Sequence, residues 1–486
     1  MGFSWLKKRK TQQVIVDQVL GDTLFEVPPP PSAESALDVI SNVEAERLLR
    51  LGQPLQRKQI QGDLIIGQPD LQDPFEFDLD RGRKVVLAEL PRPIFRRIPS
   101  AFNIEIVGCL FEGNVILAGL WLQGRVHISS TTFLSALSCR LSQFDGSVVF
   151  HHCRFDEKVT FTDAVFKGDA HFDSSHFNSY ADFYHSTYEN SASFRNAVFR
   201  AQSNFSQSVF KSPHIFEPSV DFRACICHEA AFFAGVRFQK IADFRDTQFR
   251  RQADFTGATF DFVNFTNTEF LRLDIKWEQI AGEKLLFGDV VLQGIDPRRP
   301  EIDPAEFDEL FARRVQPPLH EKHRQYDVLK AIFIKQGDYV STDGSFYEWK
   351  QVERRETSLG WNPENWIVKA FHYVNWLSCG YGVKPIRTMV FALTVILVFA
   401  TAYTGLDLLA HNHANTKVFM LLVQQSSKVA SDLQRNVDFS FRAFMNFGPI
   451  EDTRATLGHV LLLAERLLGW LTIFLFVTTY TRMMLR

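Results

Sequence analysis

Between about residues 104 and 270 one apolar side chain returns at alternating steps of five and six residues. The series runs Ile106, Phe111, Leu117, Leu122, Ile128, Phe133, Cys139, Phe144, Phe150, Phe155, Phe161, Phe166, Phe172, Phe177, Phe183, Tyr188, Phe194, Phe199, Phe205, Phe210 and Phe216. A short insertion containing Pro218 shifts the frame by one, and the series resumes at Phe222, Cys227, Phe233, Phe238, Phe244, Phe249, Phe255 and Phe260. It then tightens to steps of five at Phe265 and Phe270. Two residues before each member stands a mostly small residue, such as Ala164, Ala170, Ser175, Ala181, Ala192 or Ala253. Neither a 3.6-residue helix nor a long alternating strand produces this spacing. It also explains the composition, since 47 Phe stand against 10 Tyr and 8 Trp, as expected when one residue type fills a repeated slot.

The spacing predicts a coil with flat sides. Residues i−2 and i of a very short strand point to the same face, and a corner then carries the chain to the next side. Small residues at one inner position leave room for Phe at the other, so successive coils stack without voids. The expected core includes Phe150, Phe161, Phe172, Phe183, Phe194, Phe205, Phe216, Phe233, Phe244 and Phe255. The runs TFTDAVFKGDAHFDSSHF and QADFTGATFDFVNF resemble the pentapeptide-repeat family in its A-x-F-x-x-[A/S]-x-F variant. That resemblance implies a right-handed, four-sided β-helix over residues 101–273. About 31 units at four per coil give seven to eight coils, roughly 35–40 Å long at about 4.8 Å per coil.

Composition limits what such a rod does. Residues 101–270 hold 18 acidic side chains against 14 Lys and Arg. A net −4 is too weak a field for the DNA mimicry that some soluble members of the family practise, and no nucleic-acid partner is expected. An unknown protein partner on the rod surface is the expected use. Cys139, Cys153, Cys225 and Cys227 fall in inner slots, whereas His151 and His152 fall near polar corners. These read as core thiols and surface imidazoles, because zinc needs convergent ligands. No phosphate loop, nucleophile elbow or cofactor motif stands out, so neither an enzyme nor a cofactor is expected. The start, MGFSWLKKRKTQQ, has no apolar run behind its basic residues and does not read as a secretory signal.

Residues 1–100 are read as an N-terminal segment and cap. After the PPPP run at Pro28 to Pro31, SAESALDVISNVEAERLLRLG is a candidate helix, and GDLIIG and KVVLAEL are strand-like candidates for the start of the coil. Residues 274–375 are read as a linker with an amphipathic helical hairpin. In it LDIKWEQIAGEKLLF resembles a segment that closes the repeat in membrane-linked members of the family. HEKHRQYDVLKAIFIKQGD and FYEWKQVERRE are the expected helices, with STDG as the turn between them. The hairpin joins rod to membrane or forms an oligomer contact.

Residues 376–486 are read as a two-helix membrane domain, with spans of about 388–410 and 459–481 long enough to cross about 30 Å of hydrocarbon. Lys384 and Arg387 precede the first span and Arg482 and Arg486 end the second. The expected place is the cell (inner bacterial) membrane, with lipid as partner and both termini and the β-helix cytoplasmic. Between the spans, NVDFSFRAFMNFGPIEDTR holds an aromatic segment, about 436–446, too short to cross and suited to a re-entrant pore helix. CGYGVKPIRTM, DFSFRAF and ERLLGWLTIFLF make this region resemble a two-helix potassium-channel-like subunit. The resemblance implies a filter loop at Met445, Asn446, Phe447, Gly448, Pro449 and Ile450. Phe439, Phe441, Arg442, Phe444, Glu465, Gly469 and Trp470 would then support the pore helix and inner helix. The loop departs from the family, for it has one Gly where the filter uses two, and Pro449 fixes its backbone.

Glu465 and Arg466 lie inside an apolar run, where ionisable groups are costly. Glu465 supports the pore helix, paired with Arg442, or forms a local ion pair near the interface. Gly469 is a close-packing site or a hinge, and His411 and His413 read as loop residues. The resulting expectation is an oligomeric pore, a homotetramer by the resemblance, conducting a monovalent cation with uncertain selectivity. The alternative is a non-conducting membrane-anchored scaffold.

Overall fold

A computed structural model describes residues 37–67, 75–78, 83–86, 98–212, 218–288, 318–357, 363–411, 426–447 and 456–484. They divide into two compact units, Met1–Ile332 and Phe333–Arg486.

The first unit is a β-solenoid of about ten turns built from parallel strands. Most strands are two to four residues long, and through the middle of the solenoid they pair with the segment 22 residues on, as in Phe133↔Phe155↔Phe177 and Phe177↔Phe199. The two five-plus-six steps of the sequence thus make one coil. Every second corner is a tight turn, closed in several coils by an i→i+3 hydrogen bond, for example Ala164 N to Phe161 O at 3.0 Å and Ala197 N to Phe194 O at 2.9 Å. Its third residue has positive φ, at Ser130, Leu141, His152, Asp163, Ser174, His185, Asn196 and Gln207, which defines a type II turn. None of these is glycine, so the stack holds side chains in a conformation they seldom adopt alone. Glycine is required elsewhere: a Cβ on Gly146 would lie 2.6 Å from the Gly124 carbonyl oxygen of the coil before, and one on Gly168 equally close to Gly146.

Inside, the rings form four columns. One runs Phe161, Phe183, Phe205, Phe233, Phe255, with successive ring centroids 5.2, 4.8, 5.2 and 4.7 Å apart and planes within 5°. Rings in neighbouring columns meet edge to face, as Phe172 meets Phe183 at 78°, the geometry favoured by the aromatic quadrupole. Each buried Phe contributes roughly 1.5–3 kcal/mol relative to exposure.

The solenoid is longer than the expected seven to eight coils because it starts before residue 101 and ends after 273. Asp38–Ser41 pairs with Lys58–Gln61, and Leu64–Ile65 pairs with Val115–Ile116. GDLIIG therefore joins the stack, whereas Arg83–Val86, which takes in the first three residues of KVVLAEL, pairs antiparallel with Phe75–Asp78 in a separate hairpin. The expected N-terminal helix is shorter than read. Asp38–Ser41 is strand, and helix α1 spans Asn42–Arg50 with Ser41 accepting from Glu44 N at 3.3 Å. Its Ala45 and Leu49 are buried. At the other end helix α2, Trp277–Ile280, buries Trp277 and Ile280, and Leu285–Leu286 adds the last strand to Val263–Asn264.

The insertion near Pro218 also differs from its reading. Pairing partners change from 22 apart (Ala181↔Ser203) to 28 apart (Ala192↔Val220), so six residues are inserted. Phe194 stacks on Phe222 at 4.9 Å, so Phe222 fills the slot assigned to Phe216, which lies outside the described residues. An insertion nearly equal to one step of the repeat passes for an extra unit, so the periodicity registers a shift of one where the pairing shows six added residues.

Helix α3, Leu319–Gln336, and helix α4, Tyr339–Glu356, cover the two segments read as helices. The turn is Gly337–Asp338 rather than STDG. Gly337 has φ +72°, with Asp338 N on Phe333 O and Gly337 N on Ile334 O, a Schellman end. Asp338 then caps α4 by accepting from Ser341 N at 3.0 Å, which draws Ser341–Gly344 into the helix. The second unit continues with helix α5, Pro363–Ser378, helix α6, Pro385–His411, helix α7, Ser426–Phe444, and helix α8, Thr456–Met484. Within α6 and α8, Pro385–Asp407 and Leu457–Thr481 are long and apolar enough to cross a membrane. Helix α5 was not anticipated from the sequence.

A buried polar seam as candidate functional site

The intervening helix α7 is 19 residues long, longer than the 436–446 segment expected, because SKVASDLQR contains good helix formers that extend it toward its N-terminus. Its buried residues, Asn436, Ser440, Ala443 and Phe444, repeat at helical spacing and form one face packed against α6 and α8. Two of the four are polar, and each finds partners across the seam.

Glu465 of α8 is fully buried. It accepts a hydrogen bond from the Tyr403 hydroxyl of α6 at 2.9 Å and is joined to Ser440 of α7 by a short contact. The Ser440 hydroxyl also reaches the Ile396 carbonyl oxygen of α6 at 2.8 Å. One carboxyl group therefore ties all three helices, and Phe439 meets the Tyr403 ring edge-on at 5.0 Å. One turn along α7, Asn436 Nδ2 donates to Thr404 Oγ1 at 3.1 Å and to Asp407 Oδ2 at 2.9 Å. Arg435 flanks this cluster, 3.6 Å from Asp407 and 3.4 Å from Asp432.

The expected pairing of Glu465 with Arg442 is not what the chain forms. Arg442 is exposed and bridges Asp438 one turn back at 2.9 Å, on the opposite side of α7 from Ser440. Gly469 is a packing site: a Cβ there would run into the carbonyl oxygen of Phe444, so α7 and α8 touch at backbone distance. Phe444 is buried, whereas Phe441, Phe447 and Trp470 are exposed, with the Phe441 and Phe447 rings 6.3 Å apart. Helix α7 ends in a Schellman motif with Asn446 at φ +54°, Phe447 N on Arg442 O at 3.0 Å and Asn446 N on Ala443 O at 3.1 Å. Met445 forms the first residue of that turn. Gly448, Pro449, Ile450 and His413 lie outside the described residues, and His411 is the last residue of α6.

In the solenoid the thiols Cys139, Cys153, Cys225 and Cys227 are buried, and burial pushes Cys153 and Cys227 up to about 12. Among the described residues no three His, Cys, Asp or Glu side chains converge as a metal site. His185 pairs with Asp163 at 2.7 Å and His151 with Asp173 at 3.4 Å, each one coil apart. Buried Asp221 is shared by Arg195 and Arg223, each 2.7 Å away. A cleft of about 760 Å³ lined by Arg245, Asp246, Glu269, Glu321, Arg324 and Gln325 also lies in the first unit. Sequence reasoning missed it because its walls come from segments some 80 residues apart.

No curated protein matches the chain. Residues 140–187 and 215–270 match the family model for pentapeptide repeats. With the 22-residue register and the four ring columns, this establishes that the solenoid of the chain is built from pentapeptide repeats.

Proposed function

We propose that this chain is a membrane-embedded, homo-oligomeric channel-like protein that conducts monovalent cations with low selectivity, its β-solenoid serving as a cytoplasmic sensor or docking domain. The observation that carries the reading is the seam. A helix between two candidate spans is fixed by a fully buried carboxyl group and by backbone contact at Gly469. Ionisable groups are costly in a bilayer and are retained where they hold or line a pathway. Phe441, Phe447 and Trp470 remain exposed around the end of α7, as surfaces that further copies would cover. A single chain offers one such helix end, so a pore needs several, and the resemblance favours four. The run Met445–Ile450 has one glycine, too few for stacked carbonyls that strip a potassium ion of water.

The test is reconstitution of the full chain into planar bilayers. Discrete currents are expected in the parent, with loss in Gly448→Trp and altered conductance in Glu465→Leu. Silence across ions and voltages from a folded oligomer overturns the pore reading and leaves the membrane-anchored scaffold for a protein partner.

A further inference from the structure

Helix α5 has its amphipathicity inside out. Asn365, Lys369, His372 and Trp376 recur at helical spacing and form the sheltered side. Lys369 Nζ donates to the Thr357 carbonyl oxygen at 3.0 Å, and Arg354 lies over the Trp376 ring at 4.3 Å. The other side is apolar and open: Trp366 is 57% exposed, Ile367 70%, Phe371 67% and Leu377 59%, with Val374 among them. A helix on a water-soluble body buries its apolar stripe and exposes its polar one, and an uncovered stripe of this size marks a contact with something apolar.

We infer that α5 is a monotopic membrane helix, lying in the lipid interface with its Trp366–Leu377 stripe in the acyl region, a reading that rests on α6 being a membrane span. Lipid is the occupant because the stripe continues into that span. Helix α6 begins seven residues after Ser378 and presents Ile386, Met389, Val390 and Leu393, all exposed. At 16 residues α5 is about 24 Å long, short of the roughly 30 Å needed to cross, so it lies along the surface. The junction with α6 carries the side chains suited to headgroup depth. Arg387 donates to Tyr347 Oη at 3.0 Å and to the Trp376 carbonyl oxygen at 3.2 Å, and Lys384 lies over the Tyr347 ring at 4.2 Å. Aromatic rings with basic side chains are the usual anchors at that level. Lys369 lies on the sheltered side of α5, and the other cationic groups sit on α4 and at the start of α6, so they flank the apolar stripe without interrupting it.

The experiment places a nitroxide label on the full chain in phosphatidylcholine–phosphatidylglycerol vesicles, through Ile367→Cys and Phe371→Cys in turn. Leu463→Cys on α8 serves as the lipid reference and Glu157→Cys on the solenoid as the water reference. The unmodified chain, whose six cysteines are buried, supplies the background, and circular dichroism with gel filtration confirms that each variant folds. Labels at Ile367 and Phe371 are expected to collide with oxygen and to be shielded from a water-soluble nickel chelate, as at Leu463. If Leu463 reads as lipid while these two read as Glu157 does, α5 is not in the membrane. If they are immobilised and show label–label broadening that unlabelled chain dilutes away, a second copy covers the stripe and the inference fails. If all positions read as water, the membrane reading of α6 and α8 fails first.

Discussion

Phe183 lies between Phe161 and Phe205 in its column, fully buried, with ring centroids at 5.2 and 4.8 Å. The backbone ladder on both sides holds the coils apart, so the hole left by Phe183→Ala cannot close, and a loss of about 3–5 kcal/mol is expected. The urea midpoint of the strand signal would show it. Asp221 carries a pH dependence. Burial pushes its carboxyl up, but hydrogen bonds from Arg223 and Arg195 outweigh this and hold it below its ordinary 3.8. A folded value below the unfolded one means that the contribution is complete above about pH 4 and is lost as pH falls further. The Tm of Asp221→Asn is expected to fall less steeply than the parent's below pH 4, though from a lower starting point. His176 behaves alike near neutrality: burial, with Arg200, Arg154 and His152 nearby, lowers its imidazole from 6.5. Its stabilising neutral form is complete above about pH 6.5 and is lost as pH drops, so His176→Leu should flatten the Tm profile between pH 6.5 and 5.

At the level of elements, what the sequence disclosed depended on whether a feature lay along the chain or across it. The ring columns were legible because every slot repeats the same local rule. The insertion was legible only as a shift of one, since six added residues pass for one step of that rule. Removing residues 213–218 restores the five–six alternation from Phe210 to Phe222, and the shortened chain is expected to keep its strand content and melt no lower. Proteins losing three residues there should melt lower, because half a step turns inner side chains outward. Glu465 was legible as a charged residue in an apolar run, but Tyr403 and Ser440 come from other helices and nothing local marks them. In detergent, Glu465→Gln should melt near the parent, whereas Glu465→Leu strands the Tyr403 hydroxyl at a cost of about 1–3 kcal/mol. Gly469→Leu should separate α7 from α8 and lower Tm further. Helix α5 escaped notice because its stripe faces outward, and periodicity alone does not reveal which side of a helix is covered.

At the scale of the whole chain, the two units are stabilised on different terms. In the second, a handful of side chains tie three long helices, so one substitution at Glu465 reaches all of them. In the first, each coil touches only the coils before and after it, and stability accumulates coil by coil. The 22-residue register has a mechanical corollary. The backbone hydrogen bonds that join coil to coil run along the rod and share a pull on its ends in series, so the weakest junction yields first and the rest are spared. Tension would peel the rod in discrete steps, each freeing 22 residues and roughly 75 Å of chain. Such a rod behaves as a ratcheted extensible tether, whose length reports how many coils a load has opened.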